Sequence, residues 1–69
     1  MENKIHIGSL IKQELKIQGK SITWLINTTK ISRSTILRIF DSPTIDTGIL
    51  KKISDVLDHD FFVYYRKKN

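Results

Sequence analysis

Apolar residues fall at Ile7, Leu10, Ile11 and Leu15, with Gln18 closing the stripe, and this spacing of three and four places them on one face of an amphipathic helix. Gly19 follows and ends that helix, because glycine accepts the left-handed backbone a helix C-terminus commonly takes. Ser21 then offers an N-cap oxygen for a second helix of about two turns, with Ile22, Leu25, Ile26 and Thr29 on its apolar face. The stretch Thr28-Thr29-Lys30-Ile31 breaks the period, and Ser32 reads as the N-cap of a third helix to about Phe40. Ile36, Ile39 and Phe40 would face inward there, leaving Arg33, Ser34, Leu37 and Arg38 as an outward polar and basic strip. Asp41-Ser42-Pro43-Thr44 is a turn, since proline cannot continue the helical ladder and pushes Ser42 out of the helical region. A fourth helix starts with Asp46 as N-cap and buries Leu50, Ile53 and Leu57, flanked by Ile49 and Val56. After Asp58-His59-Asp60 comes the aromatic segment Phe61-Phe62-Val63-Tyr64-Tyr65. Asp60 caps a last short helix there, or the segment runs extended across the core.

The pattern predicts an all-α fold, a compact bundle of four to five helices in one domain over residues 1–69, with a flexible basic tail at 66–69. A chain of 69 residues buries only about 60% of the surface its unfolded form exposes, so a deep catalytic pocket would use core it needs for stability. It has no cysteine, which excludes disulfide staples, thiolate nucleophiles and the usual structural zinc frameworks. No apolar run approaches the roughly 18 residues of a membrane span, and a cytoplasmic protein with no membrane partner is expected.

Two apparent chemical motifs dissolve on inspection. Gly19-Lys20-Ser21 resembles the end of a phosphate-binding P-loop, but that loop needs glycine where Glu14 stands and a strand before it. His59 lies between Asp58 and Asp60, yet adjacent side chains point apart and His6 is remote, so no metal site is expected. No Ser/His/Asp or paired-carboxylate arrangement stands out. The expectation is therefore no enzyme activity, no cofactor and no small-molecule substrate.

Charge sharpens the picture. The formal net charge is +5, and Lys16, Lys20, Lys30, Arg33 and Arg38 lie between Leu15 and Phe40 with no acidic residue among them. Asp41, Asp46, Asp55, Asp58 and Asp60 then outnumber Lys51 and Lys52, and Arg66, Lys67 and Lys68 turn the end basic again. A positive middle third suits a surface that meets a polyanion, although a solvated basic face without a partner has the same composition.

Two short helices joined by a three-residue turn and preceded by a longer helix resemble the helix-turn-helix of the phage-repressor (Cro-type, XRE-like) family. Leu25, Ile31, Ile36 and Ile39 fall where that motif places its buried anchors, and the helix from Asp46 matches the family's fourth helix. The chain is also similar to very small bacterial proteins of this type through Ile5-His6-Ile7-Gly8, Trp24-Leu25, Ile45-Asp46-Thr47 and Asp60-Phe61-Phe62, nearly its full length. It departs from the pattern at Ile26, where a small residue is usual, at Thr29, where an aliphatic one is common, and at Lys30, where the motif usually has glycine. A left-handed backbone at Lys30 would cost roughly 1 kcal/mol.

The resemblance implies a lambda-repressor-like fold, with the helix-turn-helix at about 21–40, that binds double-stranded DNA and regulates transcription. It implies base reading by Arg33, Ser34, Leu37 and Arg38, and phosphate binding by Lys20, Ser21, Ile22, Thr23, Lys30 and Ser32. Arginine's fork matches the O6 and N7 acceptors of guanine, and Leu37 suits a thymine methyl, while plain phosphate contact remains open for both arginines. Lys51 and Lys52 either reach the flanking strand or sit on a solvated face. Trp24 either stacks on a base or packs half-buried. One such helix reads few base pairs, so a homodimer is expected to supply specificity. Phe61, Phe62, Tyr64 and Tyr65 cannot all face inward from one helix; they form a lid over the core, or a dimer seam or partner surface. A protein-interaction module or antitoxin-like subunit using that aromatic segment is the alternative function.

Overall fold

The computed structural model describes residues 5–66, in the order α1 (Ile7–Gln18), α2 (Ile22–Thr29), α3 (Arg33–Phe40), α4 (Thr47–Leu57) and a closing 3-10 segment, Phe61–Tyr65. No strand occurs among the described residues, so the fold is a small all-α bundle. Residues 67–69 of the expected basic tail lie outside the described residues, as do residues 1–4.

Each helix is fixed at its start by a side-chain cap. Ser21 Oγ accepts from the Trp24 N–H, Ser32 Oγ from the Thr35 N–H, and Asp46 Oδ1 from the N–H groups of Gly48 and Ile49. These bonds satisfy donors the first helical turn cannot pair internally. The cap of α1 is His6, whose Nδ1 accepts from the Ser9 N–H at 3.2 Å; the apolar period alone gave no sign of it. The far ends are equally defined. Gly19, Lys30 and Asp58 all take left-handed backbone, with φ of 69°, 65° and 53°.

The core gathers one face from every helix: Ile7, Ile11 and Leu15 from α1, Leu25 from α2, Ile36, Ile39 and Phe40 from α3, and Leu50, Ile53 and Leu57 from α4, closed by Phe61. Leu10, Ile31, Ile49 and Val56 sit half-buried at its margin. Ile26, where the resemblance leads one to expect a small residue, also packs half-buried against the core. At the start of α1 the Gly8 N–H donates to the Ser42 carbonyl at 3.1 Å and the Ile7 N–H to that of Pro43 at 3.5 Å. The helix thereby docks end-on against the chain leaving α3.

The turn between α2 and α3 is held from inside. Thr29 is buried; its Oγ1 donates to the Leu25 carbonyl at 2.7 Å and accepts from the Ile31 N–H at 3.2 Å. The departure from an aliphatic residue thus supplies a clamp that helps hold Lys30 in its left-handed conformation. Thr29→Val keeps the shape and removes both bonds, leaving the part-buried Ile31 N–H without its acceptor, at an expected cost of about 1–3 kcal/mol. Urea unfolding of the two proteins measures it; a midpoint unchanged by the substitution would mean the clamp contributes nothing.

Candidate nucleic-acid interface

The outward strip follows from the register of α3. At about 100° per residue, Ile36, Ile39 and Phe40 turn into the core, and Arg33, Ser34, Leu37 and Arg38 share an arc of about 140° on the other side. All four are exposed. Leu37 is 44% accessible while Ile36 and Ile39, on the same two-turn helix, are at 0% and 7%, so an aliphatic side chain is held in water between two guanidinium groups.

Arg33 Nη2 lies 3.4 Å from Thr23 Oγ1, which leans the guanidinium toward the first turn of α2. That turn presents the outer N–H groups of Ile22 and Thr23, donors with no carbonyl four residues back inside the helix, at its positive end. Lys20 Nζ sits 4.7 Å from the centroid of the Trp24 ring, a cation–π contact that keeps the ammonium beside this helix start. Trp24 itself is half-buried against the core, with Lys20 over its ring, which favours packing over base stacking. Lys30 is exposed in the turn. The structure therefore places Lys20, Ile22 and Thr23 around the start of α2, Lys30 in the turn after it, and Arg33, Ser34, Leu37 and Arg38 on α3.

Two of the expected phosphate ligands also cap helices. The Ser21 hydroxyl caps α2. That of Ser32 accepts from the Thr35 N–H, donates to Thr35 Oγ1 at 2.9 Å and lies 3.4 Å from Ser34 Oγ. Both caps orient the helix starts. Lys51 pairs with Asp55 one turn on, Nζ to Oδ2 3.3 Å, which fits the solvated-face reading. Among the described residues no three histidine, cysteine or acidic side chains gather as a metal site, and no helix is long and apolar enough to cross a membrane.

The aromatic segment divides into three rows because a 3-10 helix has three residues per turn. Phe61 turns inward, Tyr64 follows in the same row with its ring 6.2 Å from that of Phe61 but stays exposed, Phe62 and Tyr65 line an apolar groove, and Val63 and Arg66 point away. Phe61 is 0% exposed, so it is a core residue and not part of a dimer or partner surface. Its N–H donates to Ser54 Oγ, and its ring meets His59 edge-on at 4.7 Å. Tyr64 remains partly exposed, but its hydroxyl is 3.0 Å from His59 Nε2, and His59 Nδ1 is 3.7 Å from Glu14 Oε1. With Gln18 Nε2 donating to the Leu57 carbonyl at 2.8 Å, these groups tie α1 to the end of α4. Composition alone carried no signal for this network; the polar pair Glu14 and Gln18, one turn apart at the edge of an apolar stripe, was the nearest one.

No protein-family model, no curated protein and no solved structure matches this chain. Fold and surface together define a small all-α bundle with a basic, acid-free corner built from α2, α3 and the turn between them.

Proposed function

We propose that this chain is a phage-repressor-like helix-turn-helix protein that binds double-stranded DNA sequence-specifically, acting as a cytoplasmic transcription regulator without catalysis. The observation that carries the reading is the outward arc Arg33, Ser34, Leu37 and Arg38 on a short helix anchored by Ile36, Ile39 and Phe40. A helix so anchored enters the major groove, where every base pair displays a distinct donor and acceptor pattern. Lys20, Lys30 and the N–H groups starting α2 take the flanking phosphates. Between two and four phosphate neutralisations give log affinity against log salt a slope of roughly −2 to −4.

Selection from a random duplex library at two salt concentrations tests the reading. The expected product is a short motif containing guanine that persists at the higher salt. Enrichment of nothing at either salt would overturn it in favour of the protein-interaction alternative.

Lys30 gives a sharper expectation, because its two roles pull apart. Lys30→Gly removes the left-handed strain at φ 65° and should stabilise the fold by about 0.5–1 kcal/mol, raising Tm by roughly 2–8 °C. The same change deletes a phosphate contact and weakens DNA binding uniformly across sequences. Calorimetry and binding titration should move in opposite directions; a loss of both stability and affinity would contradict the assignment.

A further inference from the structure

Thr23 stands in the first turn of α2 and Arg33 at the start of α3, and the corner between the helices holds the two face to face. Leu25 is fully buried, the Thr29 hydroxyl bonds the Leu25 carbonyl and the Ile31 N–H, and Ser32 caps α3. Arg33 Nη2 donates to Thr23 Oγ1 at 3.4 Å, and both side chains are exposed. Among the described residues no carboxylate pairs with this guanidinium, so a neutral hydroxyl is what orients it.

A guanidinium presents its N–H groups in one plane as two parallel pairs, Nε with Nη2 along the side and Nη2 with Nη1 at the end. Nη2 gives one hydrogen to each pair, so whichever hydrogen Thr23 takes, one pair is spent and the other stays whole. Guanine needs a whole pair for its O6 and N7. We infer that Thr23 is a positioning residue that leaves Arg33 a single bidentate fork, and so fixes which base position in the groove the arginine reads. The inference rests on the DNA-binding reading, and it moves the Thr23 hydroxyl from the phosphate ligands to the determinants of specificity. A long bond between exposed groups biases the guanidinium without locking it, which keeps the expected effect below that of deleting the arginine itself.

Thr23→Val keeps the shape of the side chain and removes the acceptor. In titrations of the selected duplex against a scrambled one, it should lower the ratio of specific to scrambled affinity about 3- to 10-fold, and selection repeated with the variant should return the motif with one guanine degenerate. Thr23→Ser retains the oxygen and should restore both ratio and motif. In an Arg33→Ala background, Thr23→Val should change the ratio no further. In the free protein the heteronuclear Overhauser effect at Arg33 Nε–H should exceed that at Arg38 Nε–H, and should fall to it in Thr23→Val. An equal loss on both duplexes would make Thr23 a phosphate ligand and overturn the inference, as would an unchanged ratio or an effect that persists without Arg33. Equal mobility of the two arginines in the parent would overturn it as well. All of these leave the DNA reading standing, whereas a parent chain that enriches no duplex at all ends that reading and the inference with it.

Discussion

Gly8→Ala is expected to lower the stability of the fold by about 3 kcal/mol or more, the upper range for overpacking a tight contact, and Gly8→Val to leave the chain unfolded at room temperature. A Cβ on Gly8 would collide with the carbonyl oxygen of Ile39 and lie 2.5 Å from that of Phe40. Both are backbone atoms ending α3, so no flexible side chain can swing away. Relief requires α1 to move off α3, which breaks the Gly8 to Ser42 hydrogen bond and uncovers Ile7 and Ile11, both fully buried. A domain of this length has a total stability of only about 3–10 kcal/mol, so the loss is a large part of the whole. Gly19 is the internal control. Its φ is +69° but nothing lies within 4 Å of an added Cβ, and Gly19→Ala should cost only the left-handed strain, about 1 kcal/mol. Thermal unfolding followed at 222 nm separates the cases; a Tm for Gly8→Ala within a few degrees of the parent would mean that the helices are not in the contact described.

The contrast between these glycines shows which features the chain reveals on reading. Gly19 was legible because its reason is local: a period of apolar residues stops, and the next residue has no Cβ. The caps Ser21, Ser32 and Asp46 were legible on the same ground. Gly8 matters because of atoms more than thirty positions away, and no spacing in the first helix announces that. The 3-10 segment was half legible. Asp60 was a recognisable cap and a lid over the core was one of the two readings of the aromatics, but the helical period decides which of them points inward, and at three residues per turn it is Phe61 that joins the core. Thr29 looked like a flaw in an aliphatic anchor and is a hydrogen-bonding clamp, since its value lies in the neighbouring Lys30 backbone and not in its own burial. The strip on α3 was legible in full, because alternation between core and solvent on one short helix needs no knowledge of the rest of the fold.

Under the proposed function that strip carries the other large expected effect. Arg33→Ala and Arg38→Ala should each reduce affinity for the selected duplex by about 1–3 kcal/mol, roughly 5- to 150-fold, if the lost contact is a bidentate one to guanine. The diagnostic is the comparison with a scrambled duplex. A base-reading arginine changes the ratio of specific to scrambled affinity, whereas a phosphate-binding one lowers both alike and makes the salt slope shallower by about 1. Arg38 stands clear on the far side of the arc, while Arg33 is leaned toward Thr23, so Arg33 is the one placed to reach bases and phosphates from the same corner. Leu37 between them is tested without altering the protein, by replacing thymine with uracil in the selected site; removal of the methyl group should weaken binding at one position and nowhere else. Fluorescence titration at two salt concentrations reads all three. If the double variant Arg33→Ala, Arg38→Ala keeps the parent's ratio of specific to scrambled affinity, α3 does not read the sequence, and the exposed leucine and arginines serve another surface.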